Sequence, residues 1–143
     1  MSTKNLERNV VDRIIVQLAY IDGTGNYNFT IASTDIHMEF KLITEVSNYP
    51  SISIGVISLG EADPFVRARF EIPFTIEIFG YIKDEDNPLR EALKLLSDIR
   101  TAITIDEHLN ELITNMTFSS DVGAADGFGV VSFKVIGKIE SSF

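Results

Sequence analysis

Two histidines, 21 acidic side chains and no cysteine set the limits of the chemistry open to this 143-residue chain. His37 and His108 lie in different segments, and neither has a second histidine at metal-ligand spacing, so a zinc site of the helical His-x-x-x-His type is absent. Both are read as surface or structural residues. The missing cysteines remove disulfides, thiolate metal sites and thiol nucleophiles together. Asp84-Glu85-Asp86 is the densest acidic cluster. It is either a cation site or partner contact, or a solvated turn whose charge complements the dipole of a following helix. A calcium loop needs a central glycine and a terminal glutamate in register, which this stretch lacks, so the turn is the preferred reading. Asp22-Gly23-Thr24-Gly25-Asn26 also lacks the rest of a calcium loop. Gly23-Thr24-Gly25 is followed by no lysine and leads into an apolar alternation, not a helix; Gly127-Phe128-Gly129 opens a strand pattern. Neither is the setting of a phosphate cradle. The Gly55 to Gly60 stretch has the wrong spacing for a Gly-x-Ser-x-Gly nucleophile elbow. No catalytic residue, metal ligand or cofactor is expected, and the chain is read as a non-enzyme.

The elements around these residues predict a mainly antiparallel sheet with two helices on one face, an α+β fold in a single domain over 1–143. Residues 3–20 read as a first helix, with Leu6, Val10, Ile14 and Leu18 as its apolar stripe and Thr3 or Asn5 as its cap. Residues 27–32 and 36–43 alternate at period two and read as strands; a short helix from Asp35 competes for the second. Residues 44–50 connect to a strand over 51–58. A polar loop, 59–64, leads into one long strand that ends at Lys83. In it Phe70, Ile72, Phe74, Ile76, Ile78 and Gly80 share one face, and Glu71, Pro73, Thr75, Glu77, Phe79 and Tyr81 the other. Asn87 is a suitable cap and Pro88 a suitable first residue for a second helix, whose predicted core stripe is Leu89, Leu93, Leu96, Ile99 and Ile103. Residues 113–122 and 128–139 form a closing strand pair around a flexible loop at 123–127.

A formal net charge of −9 argues against a surface that grips nucleic-acid phosphates. No apolar run approaches the ~20 residues of a membrane span. The first eight residues lack the apolar core of a secretion signal, which sets the expectation of a protein made in a cytoplasm. Arg67, Arg69, Phe79 and Tyr81 fall off the greasy face of the long strand and are candidate subunit or partner contacts, with Asp84, Glu85 and Asp86 beside them. The arginines can also be an exposed strand end or meet an acidic neighbour within the fold, and the two aromatics can equally be covered by the first helix or a loop.

The order of elements resembles the tail terminator, or tail-completion, proteins of long-tailed bacteriophages. The residues that carry the likeness are Tyr27-Asn28-Phe29, then Asn48-Tyr49-Pro50-Ser51-Ile52-Ser53-Ile54-Gly55. The long strand follows from Phe74 to Tyr81, and then Leu93, Leu96, Asp98, Ile99, Ala102 and Ile103 in the second helix. The resemblance implies a structural protein of the virion tail, assembled in the host cytoplasm. It implies a ring, typically hexameric, that caps the head-proximal end of the tail tube, stops its growth and joins the capsid connector or neck. Tail tube protein and connector would be its partners, and genome DNA would pass through without specific binding; no cofactor and no membrane are implied. In such a ring the loops at 60–64 and 123–127 are expected to face tube or connector. Another neck, baseplate or tail component, or a small cytosolic ligand-binding domain, is the alternative.

Overall fold

A computed structural model describes residues 5–60 and 69–142. The order of elements is α1 (Leu6–Leu18), a 3-10 turn (Ser33–Asp35), β1 (Ile36–His37), β2 (Ser51–Leu59), β3 (Arg69–Lys83), α2 (Pro88–Thr104), β4 (Ile113–Ala125) and β5 (Phe128–Ser142). The strands form one five-stranded sheet in the order β1-β2-β3-β5-β4. Every pairing is antiparallel except β1 with β2, which is parallel and two residues long. β3 pairs with β5 along its whole length, from Arg69 opposite Ser142 to Lys83 opposite Phe128.

The α+β class follows from how the greasy face of β3 is covered. Phe74, Ile76, Ile78 and Ile82 are buried there, together with Ile52 and Ile54 of β2 and Val131, Phe133 and Val135 of β5. These side chains share one cluster with Leu6, Val10, Val11, Ile14 and Leu18 of α1 and with the inner stripe of α2. Gly80 and Gly129 set how closely α2 lies on the sheet. A Cβ at Gly80 would stand 2.9 Å from a methyl of Leu95, and one at Gly129 2.6 Å from the Pro88 carbonyl. The inner stripe of α2 is therefore Ala92, Leu95, Ile99, Ala102 and Ile103. This corrects the predicted stripe, because Leu89 and Leu93 are half exposed on the far side. Their three- and four-residue spacing imitates a core stripe, but the side of α2 that meets Gly80 and Gly129 carries Ala92, Leu95 and Ile99.

Of the predicted strands, one does not form and another is cut to two residues. Tyr27 to Ala32 carries only an isolated bridge, Asp22 to Thr30. The fully buried Asp98 of α2 explains why. Its carboxylate accepts the backbone N–H of Asn28 and of Phe29, each at 2.9 Å, and the Asn28 amide at 3.1 Å. Donors that a ladder would use are thus spent on a helix side chain. The predicted strand 36–43 shrinks to Ile36–His37, preceded by the 3-10 turn. Beyond it the chain leaves the sheet edge and crosses the opposite face. Asn5 stands at the N-cap of α1 but makes no side-chain cap, and Thr3 lies outside the described residues. Buried Gln17 links the helices: its amide donates to the carbonyls of Ala102 and Ile103 at 3.2 and 2.9 Å, at the end of α2 where carbonyls lack helical partners.

The closing hairpin is tighter than expected. β4 runs to Ala125, and the turn is Asp126-Gly127, both left-handed with φ of 53° and 80°. This is the two-residue geometry that matches strand twist and favours Asp-Gly. Residues 123–125 are strand, not a flexible loop. No described helix is long and apolar enough to cross a membrane.

Candidate functional site

The face of the sheet that carries no helix divides into two halves. Its side chains come from the alternate residues of β3 and their partners on β2 and β5. In the half towards Lys83, the segment 38–50 lies across the sheet as a strap. Phe40 meets Phe79 edge-on at 5.5 Å. The Tyr81 hydroxyl donates to the Lys41 carbonyl, and the Tyr49 hydroxyl to the Ile43 carbonyl. Tyr49 also stands 5.8 Å from the ring of Phe128, which holds the Lys83 ammonium over it. Tyr81 is only 3% exposed, and burial pushes its hydroxyl above the ordinary value of 10.0. Met38, Phe40 and Leu42 of the strap remain about half exposed.

The half towards Arg69 has no such cover among the described residues. Glu71 and Lys138 pair at 3.3 Å. The Ser132 hydroxyl donates to Glu77 at 3.0 Å, and Glu77 stands opposite Lys134 in register. Thr75, Ile136, Thr117 and Ser119 fill the rows between them. An open hollow of about 410 Å³ is lined by Leu59, Gly60, Pro73, Thr75, Ile136 and Lys138. The surface mixes both signs of charge with small polar and apolar groups, the composition of a rim more than of a ligand cavity.

Among the predicted contact residues, Phe79 and Tyr81 come together under the strap, within their own chain. Arg67 lies outside the described residues, as do Glu61 to Pro64 of the loop predicted to face a partner. Arg69 opens β3. Asp84 is tied into a turn: its carboxylate accepts the backbone N–H of Asp86 at 2.9 Å and of Asn87 at 2.8 Å. Those bonds hold its carboxyl below the ordinary 3.8. Asn87 itself makes no side-chain cap. Glu85 and Asp86 are exposed beside it. The Asp84 N–H donates to the Gly127 carbonyl at 2.8 Å, so the acidic turn is bound to the β4–β5 turn.

The histidines stay apart in the structure, His37 on β1 and His108 in the connection from α2 to β4. Among the described residues no group of three or more histidine or acidic side chains is placed to hold a metal ion. The connection is locked locally. Asp106 accepts the N–H of His108 and of Asn110 at 3.1 and 2.7 Å, and Leu109, Asn110 and Glu111 are all left-handed. Sequence reasoning missed the strap, the bonding of Asp98 to the Asn28 and Phe29 backbone, and Gln17. The available signals were polar residues inside apolar stripes and an aromatic, Phe40, in a segment without strand turns on both sides. No protein-family model matches the chain, and no curated protein matches it.

Proposed function

We propose that this chain is a structural virion protein that caps the head-proximal end of a long phage tail tube as a closed ring, stopping tube growth and joining the capsid connector. The reading starts from the likeness of element order and of the residues from Tyr27 to Ile103. It is supported by an α+β body whose helices take one face of the sheet and whose described residues leave half of the other face open. The observation that carries it is that half, left open by the described residues and mixed in charge. A ring of identical subunits needs two unlike surfaces on each copy, which rotation then closes. A net charge of −9 suits a channel that lets DNA pass without holding it. Tail tube protein and connector or neck protein are the partners of this reading, and the virion tail, built in the host cytoplasm, is its location.

Light scattering across a range of concentrations, with electron micrographs, tests it. Six copies of 15.9 kDa give about 95 kDa, and a discrete particle near that mass with a central hole is expected. A monomer at every concentration would count against the ring. The hollow beside Pro73 and Ile136 favours a second reading, a small ligand-binding domain. A bound small molecule in mass spectra of the native protein, with no assembly, would favour it instead.

A further inference from the structure

The sheet ends in two edges that complement each other. On one side β4 runs from Ile113 to Ala125 with no strand beyond it among the described residues. On the other, among the described residues, β1 covers β2 only at Ile52 and Ser53, and a bulge at Gly55 separates those positions from an end that finishes at Leu59 with no strand beside it on that edge. Natural edges are usually blunted by lysine, proline or inward charge. β4 carries neither lysine nor proline, and its one charge is Asp121. Both edges expose apolar side chains: Ile57 is 46% and Leu59 50% exposed at one, Phe118 41% at the other.

Their placement is related. Ile57 stands opposite Ile76, Ile76 opposite Val135, and Val135 opposite Phe118. The two exposed residues are thus the ends of a single row that crosses the sheet. They point to the same side as the buried Ile76 and Val135, the side of the helices. The strands alternate in direction from β2 through β3 and β5 to β4, so β2 and β4 run oppositely. A second copy rotated about an axis parallel to the strands would bring its β4 against β2 in antiparallel sense, at the same height.

We propose that the Leu59 end of β2 pairs with β4 of a second copy of this chain, in the register that sets Ile57 opposite Phe118 of the neighbour. Ser58 then meets Thr117 of the neighbour on the other side, and Leu59 reaches the bulge of β4 between Thr114 and Thr117, which holds Met116. Backbone bonds supply the attachment and the apolar row supplies the register. The inference rests on the ring reading, because it makes each contact head-to-tail. It names the joint that the ring would use.

The absence of cysteine from the chain permits a direct test. Ile57→Cys and Phe118→Cys are made as separate proteins, mixed and oxidised; both positions are half exposed, so folding should be kept. Directly opposed antiparallel residues lie within disulfide reach. Crosslinks between the two variants, and not within either alone, are expected. The double variant should give a ladder that ends in a circular species. Phe118–Phe118 replacement crosslinks alone would show a two-fold pairing of β4 and overturn the proposal. A discrete particle with no crosslink would overturn this joint while leaving the ring reading standing. Monomer throughout, with no crosslink, would overturn both.

Discussion

The two halves of the helix-free face differ in what the chain does with aromatic residues. At the Lys83 end, Phe79 and Tyr81 are roofed by residues 38–50, and the roof is bonded through tyrosine hydroxyls to backbone carbonyls. At the Arg69 end the same strand presents Glu71, Thr75 and Glu77; Glu71 pairs with Lys138, Thr75 stands opposite Ile136, and Glu77 accepts from Ser132 opposite Lys134. One half has become a second, small core, whereas the other keeps the mixed character of a surface. An alternating strand specifies one buried face reliably. Whether the other face is buried depends on a segment elsewhere in the chain.

Substitutions should separate the halves by size of effect. Tyr81→Ala removes a nearly buried aromatic ring and should cost about 3 kcal/mol of stability, with loss of protection in residues 38–50. Chemical denaturation and amide exchange would measure both; an unaltered strap would mean that the other aromatic contacts alone hold it. Tyr81→Phe keeps the ring and deletes only the bond to Lys41, so about 1 kcal/mol is expected. The raised hydroxyl gives this bond a pH signature. Stability from the protonated hydroxyl is complete below the ordinary value of 10.0 and lost as pH rises through the higher folded value. Wild-type stability should fall more steeply than that of Tyr81→Phe as pH rises from 10.0 towards the folded value; identical profiles would place the loss elsewhere. On the open half, Lys138→Ala breaks an exposed ion pair and should change monomer stability by about 0.5 kcal/mol or less. A loss comparable to that of Tyr81→Ala would show that this half is buried too.

The parts that could be read from sequence are those governed by local pattern. β3 alternates over its described length, and its greasy face faces the helices as expected. α1, the start of α2 at Pro88 and the closing strand pair were likewise legible. What failed depended on partners distant in sequence. The inner side of α2 is chosen by Gly80 and Gly129, which lie on other strands, so Leu89 and Leu93 misled. The Tyr27 segment has a strand's alternation but loses its N–H groups to Asp98, some seventy residues away. The 36–43 alternation was real as a pattern, yet its exposed Met38, Phe40 and Leu42 belong to a strap over the sheet. Of the candidate contacts, Phe79 and Tyr81 follow the alternative reading, cover by a loop; the sequence did not say that residues 38–50 are that loop.

The connection order of the sheet also has a kinetic side. β4 reaches β5 through Asp126-Gly127, but β3 reaches β5 only across residues 84–127, which hold α2 and β4. Closing the longer loop costs more chain entropy, and non-local pairing is the slower event. The longest ladder in the molecule is therefore also the one that the unfolded chain must search hardest to find. The Asp84 N–H bonded to the Gly127 carbonyl ties together the two ends of that loop.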